Sequence, residues 1–189
     1  SRDFIIDDCL INKEKIIILP NTIQENIFLK EENILLKNKI KKLTIVASLE
    51  KRKGYLELIN ALKILPESIR TIFHIEIIGE GPLYSYVKTN LKTLNISHEM
   101  LGNLRPEEVS NFLQKSNGFL LPSLNDPNPL SAIEGLASGI PLLLSNFCGN
   151  ISECVVENKN GWTFNPYDEI ELSNTIKEWS LLSFKQLII

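Results

Sequence analysis

Two carboxylates, Asp126 and Glu134, stand eight positions apart in the run Ser123-Leu124-Asn125-Asp126-Pro127-Asn128-Pro129-Leu130-Ser131-Ala132-Ile133-Glu134-Gly135-Leu136-Ala137-Ser138-Gly139-Ile140-Pro141. The run follows an apolar stretch, Gly118 to Leu121, that reads as a buried strand. Between the two acids lies a helix start, with Asn128 as N-cap and Pro129 at the first helical position. Gly139 and Pro141 form the stop signal. Helical spacing turns Leu130, Ile133, Leu136 and Ala137 inward and Glu134 toward the loop edge. The unpaired backbone N–H groups near Leu130 and Ser131, with the helix dipole, suit a phosphate. Glu134, one turn in, is placed to reach sugar hydroxyls beside it.

Three other loops carry polar or glycine-rich chemistry. Ser48 to Gly54 holds the basic cluster Lys51-Arg52-Lys53, which taken alone is a solvated surface. Gly79-Glu80-Gly81-Pro82 is a tight turn that needs glycine for its backbone angles. It is not a dinucleotide fingerprint, because the third glycine and the acidic ribose ligand are missing. Cys148-Gly149-Asn150, with Glu153 downstream, is the third. The chain has three cysteines, Cys9, Cys148 and Cys154, without metal-type spacing, which reads as reduced thiols. His74 and His98 sit beside apolar runs and fit core or strand-edge places. No zinc, Ser-His-Asp or Cys-His pattern is visible.

These loops need a scaffold. The 189 residues, 43% hydrophobic and with net charge −3, suffice for one sizeable core. The negative balance gives no support to nucleic-acid binding. No apolar run approaches the ~18 residues of a membrane span. The chain opens Ser1-Arg2-Asp3, which reads as an excised piece or one whose leader was removed. Residues 1–42 lead in, with a short apolar strand at 15–21 and a Lys-, Glu- and Asn-rich linker at 22–42. Strands are then expected at 43–47, 71–78, 97–101, 118–121, 141–145 and 162–164. Helices fill the gaps: 55–65 closed by Pro66, 82–94, 105–116, 151–157, and a last one capped by Asp168 with Ile170, Leu172, Ile176 and Trp179 inward. Such alternation predicts an α/β fold, a Rossmann-like parallel sheet sandwiched by helices, over residues 43–189. Right-handed crossovers gather the post-strand loops on one edge, where such folds bind ligands.

The central run resembles the signature of the retaining, nucleotide-sugar-dependent glycosyltransferases of group 1 (family 4), which have the GT-B fold. Their pattern is roughly S-x-x-E-x-x-x-L-x-x-x-E-A-x-A-x-G-x-P. Here Asp126 stands where Glu is usual, and Gly135 where Ala is usual. The resemblance implies that Asp126 contacts the transferred sugar and that Glu134 binds the ribose hydroxyls. Pro129, Leu130 and Ser131 then border the donor. Lys53-Gly54 is similar to the end of the family's R-x-x-x-x-K-G loop, whose Arg and Lys neutralise the donor diphosphate. Ser48 falls where the Arg is usual, which weakens leaving-group stabilisation unless Arg52 swings in. Gly79 and Gly81 match the family's G-x-G-P turn beside the nucleotide. Gly102, Asn103 and Leu104 match the loop lining its base pocket, and Cys148 to Asn150 with Glu153 its glycine loop. Residues 15–21 resemble the strand where the family's two domains meet, with Thr22 in place of a Gly.

The resemblance covers about residues 15–183, and only the donor-binding half of a two-domain enzyme. It implies transfer of a hexose from a UDP- or GDP-sugar to an acceptor hydroxyl, with retention, and no metal or other cofactor. Asp126, Lys53 and Glu134 are the implied catalytic set. The implied partners are the N-terminal acceptor domain and an acceptor glycan or lipid-linked sugar, and the implied place is the cytoplasm, at the inner face of the membrane through the other domain. Two rival readings are a nucleotide-sugar-binding module that transfers nothing, and an interaction scaffold that binds no nucleotide. A related GT-B epimerase fits the Gly135-to-Pro141 run less well.

Overall fold

The structure is a computed structural model that describes residues 14, 22–23, 25–28, 40–183 and 186. Six strands form one parallel sheet: β1 Lys41–Val46, β2 Phe73–Ile78, β3 Ser97–Gly102, β4 Gly118–Leu121, β5 Leu142–Ser145 and β6 Gly161–Phe164. Their order is β3-β2-β1-β4-β5-β6. The expected fold class therefore holds. The central strands β4 and β5 form here because their residues are buried on both faces, as a sheet covered twice requires. Leu43 and Ile45 of β1 and Leu120 of β4 point to one layer, while Phe119 and Leu121 point to the other.

The described helices are α1 Glu25–Phe28, α2 Tyr55–Ile64, α3 Glu67–Arg70, α4 Tyr84–Thr93, α5 Pro106–Gln114, α6 Leu130–Ala137, α7 Ile151–Cys154 and α8 Glu169–Leu181. Leu58 and Leu62 of α2, Leu91 of α4 and Trp179 of α8 fill one layer. Leu113 of α5, Ala132 of α6 and Phe28 of α1 fill the other. Trp179 is fully buried, and its indole N–H donates to the Asn117 carbonyl at 3.0 Å, just before β4. Asp168 caps α8 as expected, its Oδ1 accepting the Ile170 and Glu171 N–H groups.

Several local expectations need correction. Pro129 is the N-cap of α6 and Leu130 its first residue; Asn128 lies outside the helix and is exposed. Of the residues expected to face inward on α6, Ile133, Leu136 and Ala137 pack against the core, together with the buried Ala132 and Gly135, whereas Leu130 is exposed. A methyl group at Gly135 would sit 3.0 Å from Phe119 and Leu142, which accounts for the glycine where the family pattern has alanine. Ile170 faces solvent and not the core. Helix α7 spans only Ile151–Cys154, and α3 occupies a stretch between Pro66 and β2 to which the sequence reading assigns no element. Within the expected linker, α1 packs on the domain: Phe28 is buried, and the Ile27 carbonyl accepts from the Gln114 side chain at 3.1 Å. The strand expected at 15–21 lies outside the described residues.

Candidate donor-binding site

Chain order and strand order diverge at one place. The first three strands run outward from β1 in one direction, and β4 returns to the other side of β1. The loops after β1 and β4 therefore lie side by side at a switch point, where open parallel sheets bind ligands. These are the two loops that carry Lys53 and Asp126.

The loop after β1 ends in a 3₁₀ turn, Lys51–Lys53, and Gly54 in the left-handed region at φ 72°. A Cβ at Gly54 would lie 1.8 Å from the Pro122 carbonyl oxygen. Only glycine lets the two loops approach so closely. The Leu124 N–H then donates to the Arg52 carbonyl at 2.8 Å. Lys53 Nζ meets Asp126 Oδ2 in an ion pair whose partners are both nearly buried. From its other side the β4 loop is held by the loop after β5. The Asp126 N–H donates to the Phe147 carbonyl at 3.2 Å, and the Gly149 N–H to the Asp126 carbonyl at 2.9 Å. Asn150 Nδ2 donates to the Pro129 carbonyl at 3.0 Å. Burial, and after it the Asp126 charge, push the Cys148 thiol up to about 12. Cys148 and Cys154 are free and buried, inert at neutral pH in these surroundings.

At the head of α6 the N–H groups of Leu130 and Ser131 have no acceptor among the described residues. Glu134 lies one turn further on. Its carboxylate has no hydrogen-bond or ion-pair partner among the described residues, and burial holds its pKa above the usual carboxylate value. It borders a recess of about 300 Å³ with Ile23, Phe28, Pro106 and Leu130. The α1 segment therefore forms part of the wall beside Glu134.

The turn after β2 closes on the same edge. Gly79 approaches so near that a Cβ would lie 2.1 Å from the Ala47 carbonyl oxygen. Its N–H donates to the Gly102 carbonyl at 2.7 Å, which joins the turns after β2 and β3. An open recess of about 480 Å³ is lined by Glu80, Gly81, Tyr84, Met100, Leu101 and Gly102. Asn103 Nδ2 donates to Glu80 Oε2 at 3.2 Å beside it.

The structure thus brings Lys53, Asp126, Pro129, Leu130, Ser131 and Glu134 to one edge, with Gly79, Gly81, Gly102 and Asn103 along it. Ser48 sits half-buried at the end of β1. Arg52 pairs with Glu50 at 2.8 Å in an exposed position, so its guanidinium is engaged by that carboxylate. Leu104 packs against the α5–α6 layer. Sequence reading missed Phe147 as the carbonyl that receives Asp126, and Asn150 as the tether of Pro129. It also missed Glu80 and Tyr84 as walls of the larger recess. The Gly79-to-Pro82 turn could have pointed to Glu80, since it lies between the two glycines.

The sequence matches the family described as "Glycosyl transferases group 1" over residues 27–186. It is 28% identical over 174 residues to the UDP-Gal:alpha-D-GlcNAc-diphosphoundecaprenol alpha-1,3-galactosyltransferase of Escherichia coli, covering 84% of this chain and 43% of that protein. It is 31% identical over 125 residues to the amylovoran biosynthesis glycosyltransferase AmsK of Erwinia amylovora, covering 62% of this chain and 30% of that one. The chain therefore spans less than half the length of these relatives. Among solved structures it resembles a glycosyltransferase of Rickettsia africae, with a TM-score of 0.76 at 16% identity over 94% of this chain and 50% of that one. It also resembles TarM of S. aureus, crystallised with UDP, with a TM-score of 0.75 at 16% identity over 95% of this chain and 35% of that one. With a matched span of this extent, on a fold of this topology, the chain belongs to the group 1 glycosyltransferase family.

Proposed function

We propose that this chain is the donor-binding half of a glycosyltransferase that moves a hexose from a nucleoside diphosphate sugar to an acceptor hydroxyl with retention of configuration. The observation that carries the reading is the pairing of a lysine with an open helix N-terminus at the switch point. Lys53 and the unpaired N–H groups of Leu130 and Ser131 offer positive charge and donors where a diphosphate leaving group would gather negative charge. Asp126 holds Lys53 in the absence of ligand. An arriving diphosphate competes for that ammonium and frees the Asp126 carboxylate toward the transferred sugar. Glu134, desolvated and unpartnered, accepts hydrogen bonds from the ribose hydroxyls. Gly102, Asn103 and Leu104 border the base. The donor specified in the name of the E. coli relative and the UDP in the TarM crystal favour a UDP-sugar over a GDP-sugar. The acceptor, a glycan or a lipid-linked sugar, is held by a second domain across the cleft, at the inner face of the membrane. Among the described residues no helix is long and apolar enough to cross a membrane.

Thermal shift with UDP and GDP tests this reading. Stabilisation of about 2.7 kcal/mol is expected at a ligand concentration 100 times the dissociation constant. In Lys53→Ala it should fall to about 0.3–1.3 kcal/mol at the same concentration, for a loss of about 1.5–3 kcal/mol in binding. No shift with either nucleotide, or an equal shift in the variant, would remove the site. A second reading, a module that binds donor and transfers nothing, is favoured by one observation. Ser48 brings no charge, and Arg52 is taken by Glu50. Saturable nucleotide binding without transfer by a protein carrying the acceptor domain would select it.

A further inference from the structure

The N-terminal ends of the strands, opposite the donor edge, carry a second polar cluster. The register sets Lys42, His74 and Ser97 side by side, and Thr44, Glu76 and Glu99 one step along the same sheet face. Glu76 is fully buried in the middle of the sheet. One of its oxygens meets the Lys42 ammonium, and the other accepts from Thr44 Oγ1 at 3.0 Å. Glu99 is exposed on the neighbouring strand, with no ion pair among the described residues. Two carboxylates thus face one ammonium, and the cluster retains an excess negative charge. A ring nitrogen of His74 and carboxylate oxygens of Glu76 and Glu99 all lie within 4.8 Å of one another. His74 Nδ1 is 2.8 Å from Ser97 Oγ, the kind of outer contact that orients an imidazole for a metal. A recess of about 310 Å³, lined by Ile40, Lys42, His74, Ser97 and Glu99, opens over the cluster.

We propose that His74, Glu76 and Glu99 form a binding site for a divalent transition metal of the Zn²⁺ class, at which the metal replaces the Lys42 ammonium on Glu76. An imidazole with two carboxylates is a nitrogen–oxygen set suited to zinc, with a fourth position left to water. Calcium and magnesium, which take oxygen ligands, fit it less well. The strands are rigid, so the side chains close by about 1–2 Å to reach metal–ligand distances near 2 Å. The Lys42 side chain is 31% exposed and can leave toward solvent along its flexible stem. The bound ion would tie β2 to β3 without touching the donor edge.

The test is calorimetry of Zn²⁺ into the whole chain, with Co²⁺ absorption to identify the ligands. One saturable site is expected, weakened at least about 10-fold by His74→Ala and by Glu99→Gln. Lys42→Met should tighten it, because the resident cation is gone. UDP binding should not change in any of these variants. His74 and Glu99 are not core residues, so their variants are expected to fold; circular dichroism checks this. Absence of a saturable site would overturn the proposal. So would binding indifferent to both substitutions, or a Co²⁺ spectrum with thiolate charge-transfer bands, which would place the ion on cysteine.

Discussion

Two lysine–carboxylate pairs flank β1, and they are built in opposite ways. Lys53 and Asp126 are brought together by loops at the C-terminal edge, each side chain 11% exposed. Lys42 and Glu76 are brought together by strand register, with the lysine 31% and the glutamate 0% exposed. The loop-held pair depends on close backbone contacts, Gly54 on Pro122 and Asp126 on Phe147. It can open if those loops adjust. In the strand-held pair the carboxylate is fully buried within the sheet, and the lysine is the partner that reaches solvent. The same two charges can therefore be parted by loop adjustment in one pair, and only by withdrawal of the lysine in the other.

The largest expected effect falls on the loop pair through the backbone. Gly54→Ala places a side chain in the left-handed region and against a carbonyl. It should cost about 3 kcal/mol or more in urea unfolding. Near-wild-type stability would mean that the two loops are not closely packed. The strand pair comes next. Glu76→Ala leaves Lys42 without its partner, while Thr44 keeps Ser116 Oγ at 2.9 Å, at a cost of about 2–3 kcal/mol, less than for a wholly buried lysine. Asp126→Ala should cost less than Glu76→Ala, since it removes a smaller side chain from a loop and not a fully buried one from the middle of the sheet. Equal losses in the two variants would erase the distinction drawn here.

A third measurement separates the pairs by function. Lys53→Ala should weaken UDP binding by about 1.5–3 kcal/mol, the worth of a charged hydrogen-bond partner, while Lys42→Ala leaves it unchanged. Calorimetry decides, and a loss in both variants would join the two clusters into one electrostatic unit. In the same assay Ser48→Arg should tighten binding, more at low salt than at high salt.

The smallest effect concerns Glu134, a carboxylate with no lysine at all. Burial raises its pKa in the folded state. Its contribution to stability is therefore fully present below the ordinary carboxylate pKa and is lost as pH rises through the raised value. Glu134→Gln should unfold at a higher temperature than the parent at neutral pH and at the same temperature in acid. A melting-temperature difference independent of pH would show that the carboxylate is not desolvated.

Much of the fold is legible along the chain. β1, β4 and β5 are apolar runs because both their faces are covered, and Pro66, Gly139 and Asp168 mark where neighbouring elements begin or end. The polar edge strand β3, Ser97–Gly102, is less clear, since its burial is partial along its length. On α6 helical spacing finds Ile133, Leu136 and Ala137 against the core but not the closest contacts, which Ala132 and Gly135 make because little room is left beside Phe119 and Leu142; Leu130 is exposed at the helix head.

The sequence by itself determined the six strands and the longer helices, that the sheet is parallel, and that Lys53, Asp126 and Glu134 stand on loops or near a helix head. Those are properties of local periodicity, capping and spacing, which each short segment carries alone. Only the tertiary structure decided that β4 returns beside β1, and so that Asp126 meets a lysine 73 residues away. It likewise decided that Arg52 turns to Glu50, that α1 walls the recess at Glu134, and that Glu76 lies beside His74 and Glu99. Such contacts depend on strand order and on backbone approaches of a few ångströms between distant segments, and no local pattern encodes either.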